Sequence, residues 1–294
     1  MITNLTIGHN GRLGNQIFQY AILKCISFEN GYEVVLPKEN AEIVINGRFN
    51  PSINNIDRYK LDLLECFQIK DKVLDTKEIT KNLLFQYKEN LTMDYKEDFL
   101  SSSKDNTNYD GFFQCIQYFE KYQKELKNCL KFNSTIEQIC NLYIEKIKKY
   151  YNIEELITIH IRRGDLAGDQ GKYQVLLSPE YYKKLINKLS NDKNKFLILS
   201  DDLEWCKKEF IGNNIIFCDY SVSSIPAHFI DFGILSKGNK IIMSPSSFSW
   251  WAAFLSEAKE IYCPNRWYGS EYSNFNEQNV RHSSWIQVQY EGLP

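Results

Sequence analysis

Short apolar, β-branched runs alternate with stretches of helical period through the second half of this 294-residue chain. Leu156-Ile157-Thr158-Ile159, Phe196-Leu197-Ile198-Leu199, Ile215-Ile216-Phe217, Lys240-Ile241-Ile242-Met243 and Glu260-Ile261-Tyr262 each have the length of a strand. Between them Tyr182, Leu185, Ile186 and Leu189 form one helical face, with Ser178-Pro179 as its start signal. Leu203, Cys206 and Phe210 mark a second helix, and residues 248–258 a third. Strands alternating with helices imply parallel sheets covered on both faces. The fold class is therefore α/β.

The first half opens the same way. Residues 2–7 read as a strand, followed by the glycine-bearing turn Gly8-His9-Asn10-Gly11-Arg12-Leu13-Gly14-Asn15-Gln16. Ile17, Ala21, Cys25 and Phe28 recur at helical spacing, Asn30-Gly31 reads as a C-cap, and Glu33-Val34-Val35-Leu36 as the next strand. Residues 40–110 are polar and weakly periodic, and 87–110 read as loop. Residues 118–149 are charged, with apolar residues at helical spacing. A boundary near 150 divides the chain into 1–150 and 151–294, two Rossmann-like halves around a cleft.

A hydrophobic content of 43% excludes a disordered chain, and a net charge of -2 excludes a broad basic field for nucleic acid. The eight cysteines are scattered, without a CxxC pair, and point to a reducing compartment rather than a disulfide or metal framework. The N-terminal residues carry no signal-peptide pattern, and no apolar run is long enough to span a bilayer. The expected location is cytoplasmic.

Chemistry concentrates where strands should end. His160-Ile161-Arg162-Arg163-Gly164-Asp165 follows the first strand of the second half. Ligands of open α/β sheets bind beyond the carboxyl ends of the strands, and two guanidinium forks there suit phosphate oxygens. A solvated pair of arginines is the plain alternative. The Gly8–Gln16 turn could cradle a ligand on backbone N–H groups at a helix N-terminus, with charge from Arg12 and amide groups from Asn15 and Gln16, and a plain tight turn is the alternative. Of Asp201 and Asp202, one is expected to cap the following helix and the other to meet a guanine or ribose edge. Ser244-Pro245-Ser246-Ser247-Phe248-Ser249-Trp250-Trp251 is a serine-rich strand-to-helix junction suited to phosphate, and its tryptophans are either core or ligand contacts. No Asp-x-Asp and no His/Cys/carboxylate spacing for a metal occurs.

Taken in order, these segments resemble glycosyltransferase family 11, the α-1,2-fucosyltransferases. Residues 11–21 resemble the family's GLGNQxFQYA signature, Asp110-Gly111-Phe112-Phe113-Gln114 its DGYxQ segment, and residues 160–165 its HxRRGD motif. Ser200-Asp201-Asp202, Ile230-Asp231 with Leu235-Ser236, and residues 246–252 match its C-terminal blocks. Pro245 and Ala252 depart from the family's usual Asn and Gly, and Leu166 stands where an aromatic residue is frequent.

The resemblance implies a GT-B architecture whose first domain faces the acceptor and whose second binds GDP-β-L-fucose. It implies inverting transfer of fucose to the 2-hydroxyl of a galactose-terminated glycan, without a metal or other cofactor. Arg162 and Arg163 would hold the pyrophosphate, with Arg12, Gly14, Asn15, Gln16, His160, Asp201, Asp202, Ser246, Ser247, Phe248 and Ser249 around the donor. Gln114, Trp250 and Trp251 would meet the acceptor, and Asp165, Asp169 and His160 are the candidates to take its proton. Such an enzyme would build surface polysaccharide or O-antigen on a lipid carrier, touching the inner membrane face peripherally. The alternatives are transfer to another position, another GDP-sugar, or a carbohydrate-binding protein without catalysis.

Overall fold

The structure, a computed structural model, describes residues 1–9, 11–38, 61–90, 92–222 and 224–290. Most of the polar segment around 40–60 lies outside the described residues. The chain separates into two compact units, Met1–Lys131 and Phe132–Pro294.

The first unit comprises β1 (Ile2–Thr3), α1 (Leu13–Asn30), β2 (Val35–Pro37), α2 (Asp62–Cys66), β3 (Lys72–Leu74), α3 (Thr76–Thr80), β4 (Phe85–Lys88), α4 (Phe99–Ser102), β5 (Thr107–Asp110) and α5 (Gln123–Cys129). β1 pairs with β5, β5 with β4, and β2 with β3, all parallel. A parallel bridge from Ile2 to Val34 joins the two groups. The chain thus runs from β1 outward through β2 and β3, crosses to β4 at the other edge, and comes back to β5 beside β1.

Two expectations change here. The first strand is only two residues long, because Asn4 closes a turn: its Oδ1 accepts the Thr6 N–H and hydroxyl at 2.9 and 2.8 Å. Residues 87–110 are not simply loop, since β5 is the strand between β1 and β4. Its Thr-Asn-Tyr-Asp sequence lacks an apolar signal. Buried Asn108 is instead satisfied by side-chain bonds: it accepts from Leu5 N–H at 2.9 Å and donates to Gln86 at 2.9 Å.

The second unit comprises α6 (Ser134–Tyr151), β6 (Glu155–Ile161), α7 (Pro179–Leu189), β7 (Asn194–Ser200), α8 (Leu203–Glu209), β8 (Ile215–Phe217), α9 (Ala227–Ser236), β9 (Lys240–Ile242), α10 (Ser247–Leu255), β10 (Glu260–Pro264) and β11 (Ile286–Val288). Its sheet runs β11-β10-β9-β6-β7-β8, wholly parallel. Read from β6 this is the 3-2-1-4-5-6 order of the Rossmann fold, and strand order reverses between β6 and β9. From Leu156 to Ile161 every residue of β6 is buried, as a strand covered on both faces requires.

The boundary near 150 moves to 131/132. Helix α6 buries Ile136, Cys140, Ile144 and Ile147 along one stripe. That stripe belongs to the second unit: a Cβ added at Gly233 of α9 would lie 2.5 Å from Cys140 Sγ. The buried stripe of α6 makes that helix the start of the second unit rather than the end of the first.

Candidate active site

The loops after β6 and after β9 flank the point of strand reversal in the second unit, where open sheets bind ligands. The two loops are tied together. His160 Nδ1 and Ser244 Oγ share a hydrogen bond of 2.8 Å, and the His160 ring lies 5.2 Å from that of Phe248. His160 is 6% exposed. Burial, with the Arg162 charge adding to it and Asp201 opposing, pulls its pKa down to about 4. The imidazole is therefore neutral at physiological pH.

Arg162 lies between two carboxylates, donating from Nη1 to Asp201 and from Nη2 to Asp165 at 2.5 Å. Arg163 differs. Only its Nε is engaged, by Asp202 at 3.1 Å, and its guanidinium lies over the Trp205 ring at 4.0 Å. Its two terminal amino groups donate to no other group among the described residues. The forked end of Arg163 is therefore presented for a bidentate acceptor.

The two aspartates divide their work. Asp202 is the helix cap, accepting the Trp205 N–H at 3.3 Å through Oδ1 while Oδ2 holds Arg163. Asp201 departs from the expected ribose contact. Its Oδ1 accepts the N–H groups of Arg163 (2.8 Å) and Gly164 (3.1 Å), and its Oδ2 takes Arg162. Both oxygens thus shape the motif loop itself. Gly164 is required by that packing, because an added Cβ would lie 2.6 Å from Asp201 Oδ2. Gly164→Ala is expected to displace Asp201 and loosen both arginines, lowering kcat/KM about tenfold or more, as loss of a charged hydrogen bond does. Steady-state kinetics with a melting curve as folding control would check it.

The serine junction also sorts itself. Ser246 caps α10 by accepting the Phe248 N–H at 3.3 Å, and Ser247 and Phe248 are half-buried in the first helical turn. Ser249 is corrected from ligand contact to structural brace, since it is buried and its hydroxyl donates to the carbonyls of Ser244 and Ser246 at 2.8 and 3.2 Å. Trp250 and Trp251 are corrected from acceptor contacts to core. Both are 0% exposed, Trp250 Nε1 donates to the Val280 carbonyl at 2.7 Å, and its ring stacks on Phe254. Helix α10 is apolar all round, and such a helix is buried. Asp165 and Asp169 are exposed, each opening a short 3₁₀ turn.

In the first unit the loops after β1 and β5 likewise flank the strand reversal. Gln114 Nε2 donates to Asn15 Oδ1 at 3.1 Å, so the last residue of the 110–114 segment holds Asn15 of the 11–21 segment. Arg12 is exposed and its carbonyl starts α1, accepting from Asn15 and Gln16 N–H at 2.9 and 3.1 Å. Gly11, at φ 106°, passes close to Asn15, where no other residue fits. Gly14 is buried within the first turn of α1. Gln16 is corrected as a donor contact: it is 2% exposed and its Oε1 accepts the Leu63 N–H at 3.1 Å, fixing the start of α2.

Trp205 and Glu89 are not singled out by the sequence as parts of the site, and Ser244, expected with the other serines at a phosphate, takes a different part. Trp205 lies three residues beyond the Asp202 cap and supports Arg163 from there. Ser244 partners the buried histidine. Glu89 accepts from the Phe112 and Phe113 N–H groups at 2.7 and 2.8 Å. The cap spacing of Trp205 and the serine junction around Ser244 are readable from sequence, whereas Glu89 is not. Among the described residues no group of three or more His, Cys, Asp or Glu is placed to hold a metal ion.

The chain is 24% identical over 324 residues to O-antigen biosynthesis glycosyltransferase WbnK of Escherichia coli, covering 95% of this chain and 98% of that protein. It is 26% identical over 289 residues to Alpha-1,2-colitosyltransferase of Escherichia coli, covering 95% and 97%. With Galactoside alpha-(1,2)-fucosyltransferase 1 of Oryctolagus cuniculus it shares 22% identity over 278 residues, 88% of this chain and 66% of that one. The crystal structure of fucosyltransferase NodZ from Bradyrhizobium superposes with a TM-score of 0.51 at 14% identity, over 87% of this chain and 91% of that one, which shows a shared α/β fold. Residues 1–289 match the family model of Glycosyl transferase family 11, and with the arginine motif and the Asn15–Gln114 pair in place the chain belongs to that family of glycosyltransferases.

Proposed function

We propose that this enzyme is an inverting α-1,2-fucosyltransferase, moving L-fucose from GDP-β-L-fucose to the 2-hydroxyl of a galactose-terminated glycan in surface polysaccharide or O-antigen synthesis. The observation that carries the reading is the open fork of Arg163 beside the strand reversal of the second sheet. An α product from a β-linked donor requires inversion. The acceptor oxygen bonds to the anomeric carbon as the bond to the diphosphate breaks, and that electron pair leaves with GDP. Arg163 neutralises the departing diphosphate, Arg162 adds its charge beside it, and the first-turn amides of α10 with Ser246 and Ser247 receive further phosphate oxygens. His160, neutral and bonded to Ser244, orients this wall of the site.

These arginines supply the positive charge that a metal ion would otherwise bring, so no metal is needed. The acceptor's proton goes to an aspartate of the 165–169 turn. Asp165 is held by Arg162, which favours Asp169. The first unit takes the acceptor side of a GT-B arrangement, and Arg12 and Asn15, expected at the donor from sequence, go with Gln114 to that side because Asn15 is bonded to Gln114. No described helix is long and apolar enough to cross a membrane, and a lipid-carried glycan would be met peripherally.

The test is twofold. GDP and GDP-fucose should raise the melting temperature, since both bind the native fold alone. Fucose should then pass to lactose or N-acetyllactosamine with EDTA present, giving an α-1,2 linkage by NMR. Absence of both binding and transfer would end this reading. The similarity to a protein named as a colitosyltransferase favours one second reading, transfer of another sugar, colitose, from a GDP donor. Parallel assays with both donors separate the two.

A further inference from the structure

Glu89 stands directly after β4, outside every motif of the sequence. Its N–H donates to the Asp110 carbonyl at 2.8 Å, extending the β4–β5 pairing by one step. Its carboxyl then turns into the loop after β5. A single oxygen, Oε2, accepts two successive N–H groups, those of Phe112 at 2.7 Å and Phe113 at 2.8 Å. The loop is shaped around this carboxyl. A Cβ added at Gly111 would lie 2.4 Å from Glu89 Cβ and 2.7 Å from Oε2. Phe113 has φ 52°, a conformation that costs a non-glycine residue about 1 kcal/mol or more and persists only where its surroundings impose it. The Phe113 ring is buried against Phe99 and Tyr87, which fixes the turn from its other side. The next residue is Gln114, whose amide reaches Asn15 at the start of α1.

We propose that Glu89 is a positioning residue for acceptor recognition: it clamps the 111–114 turn in a strained form that delivers Gln114 to Asn15. The proposal rests on the reading of the first unit as the acceptor side. The carboxyl acts through the two backbone N–H groups and the amide pair, with no contact to the reacting atoms.

Burial pushes the Glu89 carboxyl up to about 7, against the pull of the two N–H bonds. Asp110 on β5 adds to the rise and Lys96 opposes it, while Cys115 and Tyr118 face it from the segment after the turn. The carboxyl therefore changes charge near neutrality. Its ionised form grips the N–H groups more strongly. Turnover of acceptor should rise as pH passes about 7.

The experiment compares wild type, Glu89→Gln and Glu89→Ala by acceptor kinetics across pH 5.5–8.5 and by amide hydrogen exchange over residues 111–114. Glu89→Gln keeps a neutral oxygen that can accept both bonds, and Glu89→Ala keeps none. We expect Glu89→Ala to raise KM for the acceptor about ten- to a hundredfold, the scale of charged hydrogen bonds, with GDP binding unchanged. Glu89→Gln should recover most of that loss while losing the rise near pH 7. Exchange at Phe112 and Phe113 should speed up in Glu89→Ala. Equal loss of turnover in both variants, with KM unchanged, would make Glu89 a proton acceptor and overturn the proposal. Unchanged exchange in Glu89→Ala would overturn it whatever the substrate proves to be. Should Glu89→Ala not fold, a Gln114→Ala and Glu89→Gln double-variant cycle replaces it, and strictly additive effects would then refute the link.

Discussion

Arg163→Ala is expected to lower kcat/KM for sugar transfer about a hundred- to a thousandfold, the usual loss when one preorganised donor to developing negative charge is removed. The fold should survive. The side chain is partly exposed, its bond to Asp202 is one exposed ion pair, and the Trp205 stack is a surface cation–π contact. Each such contact is worth about 1 kcal/mol or less. Arg163→Lys should restore little, because an ammonium carries the charge but neither the fork nor the flat face that lies on the indole. Steady-state kinetics and a melting curve for both variants check this. Near-normal turnover in Arg163→Ala would mean that the diphosphate is bound elsewhere. Arg162→Ala should differ in kind. It leaves Asp165 and Asp201 without their cation, and Asp201 also holds the motif's backbone.

The largest expected effect on stability comes from Trp250→Ala. The side chain is fully buried, stacked on Phe254 and edge-on to Trp251 and Trp285. Aromatic-to-alanine changes in cores cost about 3–5 kcal/mol, and here the Val280 carbonyl also loses its donor. Urea unfolding followed at the transition of the second unit should show that loss, with GDP affinity kept while the unit stays folded. A cost below about 1 kcal/mol would contradict the core position. A selective rise in acceptor KM without destabilisation would return Trp250 to the ligand.

The second sheet was legible because its strands are apolar on both faces, so β6, β7, β8, β9 and β10 all stand out as runs. β5 was not legible, since Thr107 and Asn108 enter the interior as polar residues, Asn108 with bonds to Leu5 and Gln86, both distant along the chain. The phosphate-side motif was readable from residue type and place alone. Its internal division was not. Nothing in the order of residues says that Asp201 serves the loop and Asp202 the helix, or that Arg162 is enclosed while Arg163 stays open. Serine and tryptophan at a strand-to-helix junction suited a ligand, yet an all-round apolar helix such as α10 drew both tryptophans inward. Glu89 gave no signal at all, because its role depends on backbone groups more than twenty residues away.

The indole beneath the Arg163 fork carries one more implication. The other four tryptophans are buried, whereas Trp205 is only partly covered and lies against a guanidinium 4.0 Å away. The molecule thus contains its own optical probe. The emission difference between wild type and Trp205→Phe separates that indole from the four buried ones, so occupancy beside Arg163 should be readable without dye, label or turnover.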